Sequence, residues 1–117
     1  MDKTTCTDHG IDYDEGVARF MGKADLYEKF LIRFPEDPDF ASLDKAMNER
    51  NIKAAFEAAH GLKGVSGNLS INGLYHLLIP FVNALRGEGD LALADSLYPD
   101  VRNEYMKAVE FIRTQAR

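Results

Sequence analysis

A chain of 117 residues with 45% hydrophobic content predicts one domain built around a single core. The formal charge of −5, with no block of basic residues, argues against DNA or RNA as a partner. No apolar run approaches the roughly 20 residues of a membrane span, and the single cysteine has no partner for an internal disulfide. We therefore expect a cytoplasmic protein that does not associate with a membrane.

The first ten residues, MDKTTCTDHG, are polar and include Cys6 and His9. A segment without an apolar stripe has little surface to bury against a core. We expect a flexible leader over residues 1–10 and a single domain over residues 11–117.

After this leader, apolar residues recur at spacings of three and four, which is the pattern of amphipathic helices. A short first helix is predicted to begin near Asp12 and to end at Gly22, and Pro35 ends a second helix. Asp37, which is followed by a proline, predicts the start of a third helix that ends near Arg50.

Three more helices are predicted in the second half of the chain. The fourth covers residues 51–69, and the fifth begins near residue 71 and is kinked rather than broken by Pro80. The GEGD turn at residues 87–90 precedes a long last helix, which either bends or restarts at Pro99. Wide apolar stripes joined by short turns predict an all-α antiparallel bundle.

The fourth predicted helix contains AHGLKGVSGNL, residues 59–69, in which three glycines fall within seven residues. Each glycine inside a helix costs about 0.5–1 kcal/mol relative to alanine. Helical geometry places Gly64 and Gly67 on the same face as His60. The opposite face is apolar and consists of Ala55, Ala58, Leu62, Val65 and Leu69. We interpret Gly64 and Gly67 as residues that clear space beside an outward-facing imidazole.

Two lysines and a glutamate share the face of His60. An exposed neutral imidazole has one ring nitrogen free to act as a nucleophile. Lys63, one turn further along, carries three ammonium donors that suit the oxygens of a phosphoryl group. Lys53 extends a positive rim, and Glu57 is placed to accept a proton from the other ring nitrogen. For both of these residues the alternative is an ordinary solvated side chain.

The remaining candidates near this face have less specific surroundings. Phe56 either packs against the short first helix or belongs to a docking patch. Ser66 points sideways and is expected to satisfy only its own backbone. His76 is predicted to be structural or simply exposed, and His9 belongs to the leader. Because the histidines have no paired ligand spacing, we expect the chain to bind no metal ion or cofactor of its own.

The stretch HGLKGVSGNL, from His60 to Leu69, resembles the signature of the histidine phosphotransfer (HPt) family, in which Leu, Lys and Gly follow the histidine at the second, third and fourth positions. The resemblance covers about Tyr13 to the C-terminus. One departure is Ser70, which stands where many members have glycine. The resemblance implies a four-helix bundle core, here with additional short N-terminal helices.

The resemblance also implies a function. Carried over residue by residue, His60 is the phospho-acceptor, Lys63 its electrostatic partner and Gly64 the clearance residue. The phosphoryl group is expected to come from the aspartyl phosphate of a response-regulator receiver domain or from a histidine kinase, and to pass to another receiver. The residues expected to contact the partner are Lys53, Phe56, Glu57 and Gly67.

We expect a phosphoryl carrier rather than a complete enzyme, because the sequence has no glycine-rich phosphate loop for ATP. We also expect a monomer. Mg²⁺ is expected only on the partner receiver domain. Two other interpretations stay open. One is a helical bundle that docks onto receivers or kinases without carrying phosphate, and the other is the phospho-accepting module of a chemotaxis-type kinase.

Overall fold

The computed structural model describes residues 1–116, which contain seven α-helices and no strand, so the predicted all-α class is confirmed. The helices are α1 (Lys3–Asp8), α2 (Tyr13–Arg19), α3 (Ala24–Arg33), α4 (Asp39–Asn48), α5 (Ile52–Asn68), α6 (Asn72–Leu85) and α7 (Leu91–Gln115). A 3₁₀ turn, Phe34–Glu36, lies between α3 and α4. None of the helices in residues 1–116 is both long and apolar enough to traverse a bilayer.

Helices α4 to α7 form an antiparallel four-helix bundle, as predicted. Each packs against the next along the chain, and the short connections between them reverse the chain direction. Helix α7 closes the bundle against α4, because Phe40 stacks on Tyr105 with 3.9 Å between ring centroids and the Tyr98 hydroxyl donates to Asp44 Oδ1 at 2.7 Å. The core between the four helices includes Leu43, Leu62, Leu74, Leu78, Phe81, Leu85 and Ile112.

The helix boundaries lie close to the predicted positions. Asn51 Oδ1 accepts a hydrogen bond from the amide of Ala54 at 3.1 Å, so α5 begins where expected. Asp37 Oδ1 accepts from the amide of Asp39 at 2.9 Å at the entry to α4. Both prolines in the second half lie inside continuous helices, Pro80 in α6 and Pro99 in α7. The last helix therefore does not restart.

The segment expected to be a flexible leader is folded in the structure. Asp2 caps α1 through its carboxylate, and Cys6 on the inner side of this helix is 0% exposed. The ring of His9 stacks on Phe111 of α7 with 4.3 Å between centroids. A six-residue helix with one apolar side chain has no detectable periodicity, so its docking depends on a surface that the distant helix α7 supplies.

Helix α2 is held at the C-terminal end of α5 by hydrogen bonds to the connection between α5 and α6. The amide of Asp12 donates to the carbonyl of Ser70 at 2.9 Å, and the Ser70 hydroxyl donates to Glu15 Oε1 at 2.9 Å. Hydrogen bonds from the Ser70 hydroxyl, which is the main cause, and from the Asn72 side chain lower the pKa of Glu15. The Tyr27 hydroxyl adds a buried bond to the carbonyl of Leu69 at 2.7 Å.

The backbone at Ser70 explains the glycine that the resemblance expects there. Ser70 has a φ of +55°, in the left-handed region where a side chain costs about 1–2 kcal/mol relative to glycine. Its side chain is fully buried and reaches Glu15 of α2, as described above. The conformational cost of a serine with positive φ is therefore accompanied by a hydrogen bond that attaches α2 to the bundle.

Candidate functional site

His60 lies near the middle of α5 and is exposed, on the side of the helix that faces solvent. The opposite side is buried and apolar and includes Ala55, Ala58, Leu62 and Leu69, each no more than 7% exposed. The structure therefore places the histidine as the helical pattern predicts. Val65 differs, because it is only half-buried and borders a groove beside α3.

Gly64, one turn after His60, faces open space. A Cβ built on this residue would meet no atom within 4 Å, apart from its own helical neighbourhood. Lys63, at the preceding position, is half-buried, which agrees with an aliphatic stem lying along the helix and an ammonium group near the surface. An imidazole, a bare backbone turn and a cation therefore occur together on the solvent side of α5.

The other two glycines of this helix have a different role from the one predicted for Gly67. A Cβ at Gly67 would lie 2.9 Å from Cε1 of Tyr75 on α6, so the tyrosine ring already occupies the space that the glycine leaves. A Cβ at Gly61 would lie 2.8 Å from Oδ2 of Asp39 on α4. The interpretation of Gly67 as a clearance residue beside His60 is wrong, because both glycines permit the close approach of neighbouring helices.

Phe56 connects the histidine to the end of α6. Its ring centroid lies 5.8 Å from that of His60, and the Arg86 guanidinium carbon lies 5.3 Å from the Phe56 centroid. The aromatic ring is half-buried, so one side packs on the core while the other stays accessible. A guanidinium over an aromatic ring is a favourable cation–π arrangement, and it brings a third cation to this face.

Lys53 and Glu57 complete the exposed side of α5. In the part of the chain that the structure describes, neither residue takes part in an ion pair, so Glu57 is not bonded to the His60 ring. Ser66 is fully buried and its hydroxyl donates to the carbonyl of Leu62 at 2.7 Å, which is the local backbone contact that was predicted.

A polar cavity of about 450 Å³ lies on the α6 side of the site. Its walls include Lys63 and Gly64 of α5, Arg19 of α2 and the exposed His76 of α6. Arg19 lies 3.6 Å from Glu15 through its Nε atom, so its charge is partly balanced. Arg19 was not among the predicted site residues, because nothing in the local sequence indicates that α2 returns to the end of α5.

Positively charged side chains surround the site. In residues 1–116 no three His, Cys, Asp or Glu side chains are grouped so that they suit a metal ion. Exposed or half-buried cations surround the imidazole and its cavity instead, namely Lys53, Lys63, Arg86 and Arg19. This arrangement favours an anionic group or an acidic surface.

Comparison with known proteins agrees with this geometry. The family described as Hpt domain matches residues 25–110, a span that contains the whole bundle up to most of α7. No curated protein matches the chain, and no solved structure matches it. Helices α1 and α2 lie before the matched span. Because the match covers well over half of the sequence, the chain belongs to the Hpt domain family, whose members are phosphocarrier modules of histidine phosphotransfer in two-component signalling.

Proposed function

We propose that the protein is a phosphoryl carrier of a two-component phosphorelay and that His60 is its phospho-acceptor. The observation that carries this proposal is the exposed imidazole beside Gly64, where a Cβ would meet no other part of the chain within 4 Å outside its own helical turn. A phosphoryl group attached to the ring, and the partner that delivers it, both need this free volume. Membership of the Hpt domain family supports the same class of reaction.

The proposed step is an in-line displacement at phosphorus. A neutral ring nitrogen of His60 attacks the aspartyl phosphate of a receiver domain, the N–P bond forms, and the P–O bond to the aspartate breaks. The carboxylate leaves with the bonding electron pair, and the proton on the other ring nitrogen is free to exchange with water. Transfer onward to a second receiver is the same step in reverse, since both phosphorylated species are reactive.

The charges around His60 support an acidic partner. Lys63 lies one turn from the imidazole, where its ammonium group can neutralise phosphoryl oxygens. Lys53 and Arg86 add positive charge on the N-terminal side of the same face, although the chain as a whole carries −5. A receiver presents an acidic pocket, and its Mg²⁺ belongs to that pocket rather than to this chain. Complementary charges steer such an encounter and fix its register.

The test is phosphoryl transfer from a receiver domain that carries a radiolabelled aspartyl phosphate. We expect label on the wild-type chain and none on His60→Gln, because glutamine keeps a polar side chain but has no nucleophilic ring nitrogen. The control for the identity of the acceptor is His76→Gln at the exposed histidine of α6, which lines the cavity but leaves the His60 ring in place, so this variant is expected to reach the same final stoichiometry of label as wild type. Lys63→Ala is expected to label more slowly. Equal labelling of wild type and His60→Gln would contradict the proposal.

A second arm separates the three interpretations of the chain. The donors are a phosphorylated receiver and, separately, a histidine kinase supplied with ATP and no receiver. Label from the receiver supports a relay carrier. Label from the kinase alone assigns the chain to a kinase as its phospho-accepting module, and label from neither donor leaves a docking bundle that carries no phosphate.

A further inference from the structure

We propose that Arg19 of α2 is a specificity-determining residue of this carrier, which binds an acidic side chain of the receiver domain, and that Glu15 and Ser70 hold it in position for this contact. The inference rests on the proposed function, because it names a further contact in the same transfer complex. Arg19 lies before the matched span of residues 25–110. The inference therefore assigns a part in partner choice to a residue outside that span.

The polar cavity that Arg19 lines lies on the same side of α5 as His60. Its walls on this helix include Lys63, Gly64 and Gly67, at the third, fourth and seventh positions after the histidine. At 3.6 residues per turn these positions fall within about 60° of His60 around the helix axis, and about 5–11 Å further along it. A standard protein interface buries roughly 800 Å² on each partner, which corresponds to a disc of about 16 Å radius. A receiver of ordinary footprint centred on His60 therefore covers this cavity.

The walls of the cavity are rich in hydrogen-bond donors. Two of the lining side chains are cations, those of Arg19 and Lys63, and Glu15 is the single carboxylate among them. Four more carry an N–H or O–H group, namely Asn68, Asn72, Tyr75 and His76. Two cations and one carboxylate leave the cavity positively charged, although the chain as a whole carries −5. The complementary group on a partner is a carboxylate.

The carboxylate of Glu15 is already bonded within the protein. Its Oε1 atom accepts from the Ser70 hydroxyl at 2.9 Å and from Asn72 Nδ2 at 3.3 Å. Because these bonds lower the pKa of Glu15, with the Ser70 hydroxyl as the main cause, the group stays ionised at neutral pH. Ser70 is fully buried, so the connection between α5 and α6 sets the position of this negative charge.

Glu15 in turn orients Arg19. The two residues are four positions apart on α2, and Arg19 Nε lies 3.6 Å from Glu15 Oε1. Within residues 1–116 the guanidinium makes no other ion pair, and the side chain is 50% exposed. The two Nη atoms are therefore accessible, and a planar guanidinium matches both oxygens of a carboxylate. An arginine that is held in place before binding loses less conformational entropy when the partner arrives.

The backbone at Ser70 allows the hydroxyl to be removed cleanly. Ser70 follows the end of α5 with a φ of +55°, and the amide of Ile71 donates to the carbonyl of Ser66, which is an ordinary left-handed helix end. Glycine fits such a turn, so Ser70→Gly removes the donor to Glu15 and leaves the turn itself in place. The backbone bond from the amide of Asp12 to the carbonyl of residue 70 is kept.

The experiment measures transfer from the phosphorylated chain to the receiver domain of the source organism that accepts fastest from wild type. Each variant is first charged to the same phosphohistidine level with phosphoramidate, a small donor. For Arg19→Gln we expect the KM for this receiver to rise at least about fivefold at low ionic strength, with kcat within about twofold of wild type. The difference in KM is expected to shrink as salt is added, because the contact joins solvent-accessible charges.

Two further variants control for charge and for geometry. Lys107→Gln on α7 removes another cation that is paired with a glutamate, since Lys107 Nζ lies 3.1 Å from Glu104 Oε1. This variant has the same net charge as Arg19→Gln and is expected to leave KM within about twofold of wild type. Arg19→Lys keeps the positive charge without the planar guanidinium, so it is expected to recover only part of the loss.

The positioning role is tested by coupling between the two sites. Ser70→Gly is expected to raise KM by about two- to threefold in the wild-type chain and to leave KM unchanged in the Arg19→Gln chain, because the hydroxyl acts through the arginine. The melting temperature of each variant reports separately on the fold. An effect of Ser70→Gly on KM that is equal in both chains would overturn the positioning role.

The remaining outcomes concern Arg19 itself. A KM for Arg19→Gln within about twofold of wild type would overturn the inference and leave the function of His60 intact. A lower kcat, or a shorter lifetime of the phosphohistidine without receiver, at an unchanged KM would assign Arg19 to the phosphoryl group and would also overturn it. Failure of wild type to transfer at all would contradict the proposed function, and this inference with it.

Discussion

Gly64 and Gly67 lie one turn apart on the same helix, yet their surroundings are opposite. Beside Gly64 the structure leaves open space next to His60, whereas beside Gly67 the ring of Tyr75 lies where a side chain would begin. Each of the two glycines destabilises the helix by about 0.5–1 kcal/mol relative to alanine. At Gly67 the closer packing of α6 compensates for this loss within the fold, and at Gly64 no contact within the chain compensates for it.

This contrast gives a criterion for finding sites on helices. A glycine whose missing side chain is replaced by another element belongs to the packing of the molecule. A glycine that faces empty space lowers the stability of the free protein. Its function is then to leave room for a group or a partner protein that binds there. By this criterion Gly61 belongs with Gly67, because Asp39 occupies its space.

The largest effect is expected from Gly64→Leu. A leucine side chain fills the open volume beside His60, so phosphoryl transfer from a receiver is expected to slow at least about tenfold, equivalent to about 1.4 kcal/mol in the activation free energy. The rate is measured with radiolabelled receiver phosphate. The matched control is Ala92→Leu on the exposed side of α7, which adds the same kind of apolar group away from the site. Equal rates for Gly64→Leu and wild type would show that the open space is not used.

Gly67→Ala is expected to act on stability. The new Cβ lies 2.9 Å from Tyr75, and the resulting overpacking exceeds the gain in helix propensity. We expect a net loss of about 1–2 kcal/mol in the free energy of unfolding, measured by urea denaturation. In a Tyr75→Ala background the ring is absent, and the same substitution is expected to stabilise the chain. A loss that persists in that background would contradict the assigned contact.

Gly64→Ala, at the glycine that faces open space, is expected to change stability less than Gly67→Ala does. Its Cβ meets no neighbouring atom within 4 Å, so only helix propensity changes. The free energy of unfolding is expected to rise by about 0.5–1 kcal/mol. Gly64→Ala and Gly67→Ala therefore shift the urea midpoint in opposite directions. Destabilisation by Gly64→Ala would mean that another segment covers this turn in solution.

The smallest effect concerns Asp39, which occupies the space beside Gly61. Burial, followed by the charge of Asp37, raises the pKa of Asp39 above its ordinary value of 3.8. The folded state then holds this proton more tightly than the unfolded state. Its stabilising contribution is full below the ordinary pKa and is lost as the pH rises through the raised value.

Asp39→Asn removes this titration. We expect the free energy of unfolding of the variant, relative to wild type, to increase as the pH rises from below 3.8 toward neutrality. Urea denaturation of both proteins at a series of pH values measures the difference. The same measurement is made on Asp44→Asn. Asp44 lies on the same helix, but its carboxylate accepts a hydrogen bond from the Tyr98 hydroxyl. A difference between Asp39→Asn and wild type that is independent of pH would contradict the predicted sign.

The sequence predicted those parts of the fold that depend on local periodicity. The order of the helices, the cap at Asn51 and the exposure of His60 all follow from patterns within a few residues of each other. The role of Gly67 did not, because a helical wheel gives the direction of a residue but not the neighbouring helix that approaches it. That information depends on how α6 crosses α5 and places Tyr75.

Two other features required contacts between distant parts of the chain. Arg19 reaches the cavity beside Lys63 only because α2 is bonded to Ser70. Helix α1 forms because Cys6 and His9 find an apolar surface on the bundle. The first ten residues carry no apolar stripe, so they were predicted to be a flexible leader, whereas the apolar spacing in α2 predicts a helix but not the surface on which it docks.

The single cysteine of the chain offers a way to follow this N-terminal attachment in solution. Cys6 is fully enclosed beneath α1, and burial raises the pKa of its thiol, so alkylating reagents react with it only when the first helix lifts away. Its rate of modification thus reports the opening equilibrium of that helix. While it is closed, a fluorophore can be attached to a newly introduced surface cysteine without first replacing the native one.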